Sequence, residues 1–308
     1  MSFLKYLLLS LIIPTSIYAG VLCENELSIV ADQRTVDFST NESQRLDFLI
    51  YRTYTYKACK YFVTFGRGSG PDYNRKLYLS YPTPAIPFQL YKDTSTPAIL
   101  MNFPEVSSET NLITGNYPNY PMSTPRQHTY IATLGNVPLG TPSGYYYETL
   151  RAYLYSGTLK GGYHFETSQS ITYRYYVPSS IGLSIVDTGS PYDEYSLNKS
   201  IDFGMMSSGL SKNFDIVIKS NEGYKLFFSS DNGGKLMHSS LGAYVPYTTQ
   251  VNGTNMTLVP YTPIQVASGN GITPANGERL NVILTLGAIT NQPAGTYSDY
   301  ITVTVQSN

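Results

Sequence analysis

The chain contains the same strand pattern twice. Residues 148–177 and residues 278–305 each read as an apolar strand, a glycine-containing connection and a final strand in which apolar and polar residues alternate. The beginnings also match, because the motif TVDF at 35–38 returns as SIDF at 200–203. The repeat distance is far longer than one solenoid unit. The sequence therefore predicts two complete domains that share one fold.

Strand-like alternation dominates both halves. Residues 171–177, 280–286 and 301–305 place apolar side chains at every second position, which is the period of a half-buried strand. No segment has the spacing of an amphipathic helix, and the 25 Gly and 19 Pro residues mostly fall between the strand-like runs. We therefore predict an all-β chain of two tandem antiparallel β-sandwiches.

Residues 1–19 have the composition of a secretory signal peptide. Lys5 supplies a positive charge, Leu7–Ile13 form an apolar core that ends at Pro14, and Ile17–Ala19 form a cleavage site. The alternative is a membrane anchor, but the apolar run is shorter than the ~20 residues needed to span a bilayer. We expect the chain to be exported.

The charge balance argues against nucleic acid as a partner. The chain has 20 basic and 21 acidic residues, so it has no basic surplus with which to neutralise phosphates. It also contains 30 Tyr and no Trp. Two domains of this size cannot bury every tyrosine, and an exposed tyrosine ring suits a contact surface.

The positions of the two cysteines and of the linker distinguish the two halves of the chain. In an exported protein Cys23 and Cys59 favour one disulfide over two free thiols, and both lie in the first half. The boundary is expected at residues 178–180 (PSS), just after the last strand of the first repeat. This gives an N-terminal domain at 20–177 and a C-terminal domain at 178–308.

One long segment is present only in the first repeat. Residues 104–126 are rich in Pro, Asn and Ser but also contain five large apolar or aromatic residues, Leu112, Ile113, Tyr117, Tyr120 and Met122. Loops of this length in compact domains are usually functional or disordered. The five residues form either an exposed contact patch or a cover for the sandwich.

The expected strand order predicts where this segment lies. If residues 128–134 pair antiparallel with residues 146–156, the loop at 104–126 enters from the pole of the domain that faces away from the linker. This placement requires consecutive strands to be neighbours in the sheet. The cluster Tyr145–Tyr147 begins a strand and is better explained as part of the sheet.

No motif indicates catalysis, a metal or a cofactor. The run Gly66–Gly70 lacks the Lys-Ser/Thr and the helix of a phosphate loop, so it reads as a turn. His128, His164 and His238 have no metal-ligand spacing, and there is no GxSxG motif. We expect a protein that is not an enzyme.

Several motifs resemble those of the spore coat protein U domain. The most specific is the ending PAGTYSDYITVTV at 293–305, which in the first repeat is replaced by GGYH at 161–164. The other matching elements are Cys23, the strand at 36–38, Cys59 with the glycine-rich turn at 61–70, and IPFQLYKD at 86–93.

This resemblance implies a role in a pilus. Such domains form archaic (Csu-type) chaperone–usher pili, whose immunoglobulin-like subunits are incomplete and receive a donated strand from the next subunit. Shaft subunits have one domain and a free donor extension. With two domains and few residues between the expected cleavage site and Cys23, this chain resembles the two-domain tip adhesin. The resemblance implies an N-terminal domain that binds host or abiotic surfaces, a periplasmic chaperone, an outer-membrane usher and a position at the pilus tip on the cell surface.

The donor strand would enter the second domain. Apolar strand residues there are candidates for the lining of the acceptor groove, and the alternative is an ordinary core: Ile201, Phe203, Ile301, Val303 and Val305. Two other functions remain open. One is a structural pilus or outer coat subunit without a receptor, and the other is a secreted carbohydrate-binding protein.

Overall fold

The computed structural model describes residues 23–53, 58–80, 82–94, 98–118 and 124–308. Within these ranges the regular structure consists of strands and one 3₁₀ turn at Glu109–Asn111. The all-β prediction is therefore confirmed. The expected signal peptide at 1–19 lies outside the described residues. In the described part of the chain, no helix has the length and apolar character needed to cross a bilayer.

The chain divides into two compact units. The first comprises the described residues of Met1–Tyr81, Ala85–Asn136 and Tyr147–Tyr175, and the second those of Pro82–Pro84, Val137–Tyr146 and Tyr176–Asn308. Strands β1–β10 form the sheets of the first unit: Leu27–Ala31, Thr35–Asp37, Ser43–Arg52, Cys59–Phe65, Lys76–Tyr78, Ala85–Tyr91, Ile113–Tyr117, Arg126–Leu134, Gly144–Thr158 and Gly162–Val177.

The first unit is a sandwich made from one curled sheet. On one side the order is β1-β3-β8-β6, and β5 continues the sheet from β6 to β9. On the other side β9 pairs with β4 and is followed by β10 and β2, while β7 pairs with the far edge of β4. All these pairings are antiparallel where their register is defined, except the parallel pair β10–β2.

Aromatic rings fill the space between the two sides. Phe65 on β4 lies 4.9 Å from Tyr130 on β8, and Phe88 on β6 lies 5.2 Å from Tyr173 on β10, measured between ring centroids. The hydroxyls of Tyr130 and Tyr173 are 2.8 Å apart, so these buried polar groups satisfy each other. The pair contributes both apolar area and a hydrogen bond to the centre of the unit.

The disulfide prediction is confirmed. Cys23 and Cys59 are bonded and both are buried. The bond attaches the residues before β1 to the first residue of β4.

The assumed strand order is wrong for the segment after the long loop. β8 pairs with β3 and β6, whereas β9 pairs with β4, β5 and β10. Consecutive strands here lie on different sides of the sandwich, so the strand pairing does not place the loop at the pole that faces away from the linker. The segment 104–126 is also not loop throughout, because β7 lies within it and extends the sheet beyond β4.

The second unit consists of two sheets. Its strands β11–β20 are Ile181–Val186, Ser211–Ser220, Tyr224–Ser230, Lys235–His238, Tyr244–Val251, Thr254–Met256, Ile264–Gly269, Glu278–Leu286, Tyr297–Ser298 and Ile301–Ser307. One sheet has the order β11-β12-β18-β15-β14-β19, with β16 beside β15, and the other has the order β17-β13-β20.

The core of the second unit follows the predicted alternation. On β18 the side chains of Leu280, Val282, Leu284 and Leu286 are buried and the residues between them are half-exposed. They pack in one cluster with apolar residues of β13, such as Phe228.

The terminal motif stabilises a turn of the second unit. The carboxylate of Asp299 accepts hydrogen bonds from the hydroxyls of Ser230 and Tyr247, both at 2.6 Å, and from the backbone N–H of Asn232 at 3.0 Å. Burial and the neighbouring Asp299 carboxylate raise the pKa of Tyr247 above its ordinary value, so its hydroxyl stays a donor. The Asp in PAGTYSD thus connects the entrance of β20 to the end of β13.

Candidate functional site

The second unit has an unpaired sheet edge. Among the residues that the structure describes, β20 pairs only with β13, and β11 pairs only with β12. Strands β11 and β20 belong to different sheets but lie next to each other. The gap between two such edges is where an extended segment of another chain can add as a strand.

Three of the five predicted groove residues lie on β20 at this edge. Ile301, Val303 and Val305 are half-buried and pack against the core cluster, whereas the threonines between them are exposed. Ile201 and Phe203 are also half-buried against the same cluster, and their segment forms no strand. The five apolar side chains therefore remain partly open to solvent, and we name this region the open edge.

The corresponding edge in the first unit is closed by its own chain. The motif at 35–38 contains β2, which pairs in parallel with Thr172–Arg174 of β10, and Val36 and Phe38 are fully buried. Arg174 Nε donates to Asp37 Oδ2 at 2.8 Å. The same motif is thus a paired strand in one unit and an unpaired segment in the other.

Side chains of β10 also cover the edge of β1. Glu166 Oε2 accepts from the backbone N–H groups of Glu26 and Leu27, and Gln169 Oε1 accepts from that of Ala31. These three backbone donors are therefore not available to another strand. We name this arrangement the closed edge.

The described residues of the predicted contact loop are interior residues. Leu112 packs with Phe62 and Val106, and Ile113 and Tyr117 belong to β7 and are buried. The hydroxyl of Tyr117 donates to the carbonyl of Ile50 at 2.6 Å. Because β7 pairs with β4, these three side chains point inward, so they cover the sandwich and do not form the exposed contact patch expected as the other alternative. Tyr120 and Met122 lie outside the described residues.

Sequence reasoning missed the outward face of β9. From Tyr147 to Tyr155 every second side chain is exposed or half-exposed, and the residues between them are buried. The outward row is Tyr147, Thr149, Arg151, Tyr153 and Tyr155. The alternation is visible in the sequence, but alternation alone predicts a strand and does not show what its outward face contacts.

A trough follows this outward row. It consists of two adjoining clefts, of about 460 Å³ and 260 Å³, that share Ser69 and Thr149. One wall is the turn at 66–69 and the other, around the larger cleft, is the segment 102–105. We name it the β9 trough.

An aromatic cluster continues from the trough towards the β9–β10 turn. Tyr153 and Tyr155 lie 6.5 Å and 5.7 Å from Phe165, and Tyr163 lies 4.7 Å from Phe103, measured between ring centroids. Tyr163 and Phe165 are each nearly half-exposed. This unit therefore has a wide aromatic surface that is not part of its core.

Comparison with known proteins gives resemblances among solved structures. No family model matches the chain, and no curated protein sequence matches it either. The CupB6 tip adhesin of Pseudomonas aeruginosa matches with 11% identity over 92% of this chain and 95% of that chain, at a TM-score of 0.44. CfaE, the adhesive subunit of the CFA/I fimbria of enterotoxigenic Escherichia coli, matches with 12% identity over 94% and 83%, at a TM-score of 0.41.

A third match includes an assembly chaperone. The CsuC–CsuE chaperone–tip adhesion subunit complex of Acinetobacter baumannii matches with 9% identity over 91% of this chain and 100% of that chain, at a TM-score of 0.34. The chain is thus similar, along most of its length, to tip adhesins and chaperone–adhesin complexes of chaperone–usher pili.

Proposed function

We propose that this protein is a non-enzymatic tip adhesin of a chaperone–usher pilus. In this proposal the second unit accepts a donor strand from the next subunit at its open edge, and the first unit contacts the surface. The protein passes through the periplasm with a chaperone, is assembled by an outer-membrane usher and is displayed on the cell surface at the end of the pilus.

The observation that carries the proposal is the contrast between the two edges. The same motif is paired and buried as Val36 and Phe38 but unpaired and half-buried as Ile201 and Phe203. A free strand edge beside partly exposed apolar residues is an aggregation hazard for a secreted protein. Such an edge needs a partner that covers it. A donated strand would supply both the missing backbone hydrogen bonds and the missing apolar side chains.

The closed edge accounts for the position at the tip. A unit in which this edge is occupied by its own β2 and by Glu166 and Gln169 cannot accept a donor strand there. One unit would therefore join the pilus and the other would end it. A structural subunit without a receptor would share the open edge, so surface binding by the first unit distinguishes the two functions.

The test supplies the missing strand within the full chain. A short turn and a segment with alternating apolar residues are appended after Asn308, so that the segment can return antiparallel to β20. Each apolar side chain that becomes buried contributes about 1.5–3 kcal/mol at most. We expect the thermal midpoint of the second unit to rise by about 10 °C or more and the protein to remain monomeric.

The matched control carries the same segment with its apolar residues replaced by serine. We expect this control to melt and associate like the unmodified chain. Two results together would contradict the proposal that the second unit accepts a strand. The apolar and serine versions would have the same melting temperature, and the unmodified chain would already be monomeric. Adhesion of the complemented protein to hydrophobic plastic and to glycans then tests the first unit.

A further inference from the structure

We propose that the β9 trough binds a linear oligosaccharide that carries carboxylate groups. The inference deepens the adhesin function proposed above and rests on it, because it names the class of ligand that the first unit would hold. It depends on the trough's shape, on its exposed aromatic rings, on one uncommitted guanidinium and on a buried support.

The trough has the shape of a site for an extended ligand. Its floor runs along β9 from Tyr147 to Tyr153, a distance of roughly 20 Å at the rise of an extended strand. The two clefts join at Ser69 and Thr149 instead of ending in one deep pocket. Such a floor can contact several sugar rings in a row, whereas a compact small molecule would occupy only one cleft.

Tyrosine rings at the two ends of the floor supply flat apolar faces. The side chain of Tyr147 is 57% exposed, and that of Tyr153 is half-exposed. A pyranose ring also has a flat face of C–H groups with hydroxyls at its edge. A tyrosine matches both features, since its ring packs on the C–H face and its hydroxyl bonds at the rim.

Arg151 supplies the cation with which the trough can meet an acidic ligand. It is exposed between Thr149 and Tyr153, and no carboxylate lies within ion-pair distance of it among the described residues. The other charged side chains nearby are already engaged. Arg67 contacts Glu105 at 3.6 Å, and the Glu148 carboxylate accepts from the N–H and hydroxyl of Ser69. A free planar guanidinium recognises a carboxylate through two parallel hydrogen bonds.

The walls of the trough are held in place from below. Arg75 is buried, and its guanidinium donates to the carbonyls of Phe65, Gly66 and Leu100. At the turn, Gly68 has φ = 83°, and a Cβ at this position would approach the Glu148 side chain to 2.8 Å. The turn is therefore fixed before any ligand arrives, which lowers the entropic cost of binding.

The experiment compares acidic and neutral forms of one oligosaccharide. Calorimetry with the full, oxidised and strand-complemented chain uses tetragalacturonate and its methyl ester, which has the same shape without charge. Tetrasaccharides of hyaluronan and of α2,8-linked sialic acid extend the acidic set. We expect at least one acidic tetrasaccharide to bind, its neutral or esterified form to bind at least tenfold more weakly, and affinity to fall with added salt.

Variants locate the site. We expect the single variant Arg151→Gln to weaken binding of the acidic tetrasaccharide at least tenfold. The single variant Tyr147→Ala should weaken it by a larger factor. Both side chains are exposed, so neither change should alter the melting temperature. Arg45→Gln is the matched control, because Arg45 is an exposed strand arginine on β3, outside the trough. It should leave binding unchanged.

Three outcomes would overturn the inference. These are equal binding of the charged and esterified forms, full binding by Arg151→Gln, and no binding of any acidic tetrasaccharide by the folded protein. The donor-strand experiment measures the melting temperature of the second unit and does not depend on the trough. A raised melting temperature there, with no acidic oligosaccharide bound here, would leave the adhesin function standing and remove only this ligand.

Discussion

Arg174 and Asp37 form an ion pair that joins the last strand of the first unit to its short parallel neighbour, with Nε and Oδ2 2.8 Å apart. In the second repeat the position of Arg174 in ITYRYYV corresponds to Thr304 in ITVTVQS, and Asp37 corresponds to Asp202. Asp202 Oδ1 instead accepts from the N–H of Gly204. The loss of one cation thus accompanies the difference between the closed and the open edge.

We expect Arg174→Thr to loosen the closed edge. The ion pair is partly exposed, so its loss should cost only about 0.5 kcal/mol of global stability. Local opening should increase more, because β2 has only three residues. Hydrogen exchange followed by mass spectrometry should show faster exchange at residues 35–38. Arg45→Thr is the control, and unchanged exchange in Arg174→Thr would show that burial of Val36 and Phe38 alone holds the strand.

We expect Arg75→Met to destabilise the first unit by about 3 kcal/mol. Arg75 is only 2% exposed, and the change leaves the carbonyls of Gly66 and Leu100 without donors inside the protein. Burial lowers the pKa of Arg75 to about 10, so it remains charged at neutral pH. Denaturant unfolding measures the loss. A loss below 1 kcal/mol would mean that water replaces the guanidinium.

We expect the first unit to lose stability as the pH falls below about 6.5. Burial, and then the nearby Arg126, lower the pKa of His128, whose Nε2 lies 2.8 Å from the hydroxyl of Tyr61. The unfolded chain therefore binds a proton at a higher pH than the folded chain does. The contribution is fully present above the unfolded pKa and is lost as the pH falls towards the folded pKa.

Denaturant midpoints between pH 7.5 and pH 5 measure this loss. The variant His128→Gln keeps a polar partner for Tyr61 but does not titrate. Its stability should change less over the same interval, and an identical pH profile in both proteins would exclude His128 as the cause.

We expect reduction of the disulfide to affect only the first unit. The bond between Cys23 and Cys59 closes a sequence separation of 36 residues, which corresponds to about 4 kcal/mol in the chain-entropy model. The second unit contains no cysteine. Calorimetry with and without a reducing agent should show one transition moving to lower temperature. The double variant Cys23→Ser/Cys59→Ser should melt like the reduced protein, and a shift of both transitions would contradict the assignment.

Much of the architecture could be predicted because alternation reports burial directly. The strands at 280–286 and 171–177, the disulfide and the turn at 66–70 all follow from local pattern or composition. Strand order could not be predicted in the same way. Which strand lies beside β9 depends on contacts between residues far apart in sequence, and the assumption that consecutive strands pair fails at β8.

The candidate sites also include features that local sequence predicts and features that depend on tertiary contacts. The apolar row of β20 was predicted because an alternating strand shows its apolar face in the sequence. The burial of Leu112 and Ile113 was one of two open alternatives, since an apolar residue in a Pro- and Asn-rich segment reads the same whether it lies in the core or on the surface. The β9 trough was missed because its floor and its walls come from three separate segments.

The sequence by itself determined that the chain is all-β, that it contains one fold twice and that its two cysteines lie in the first repeat. These properties are local, because side-chain period and turn residues report on a few neighbouring positions. Only the tertiary structure decided that TVDF completes an edge whereas SIDF does not, and that Arg151, on the floor of the trough, has no carboxylate partner among the described residues. An edge is open or closed, and a charge is paired or free, according to what packs beside it from elsewhere in the chain.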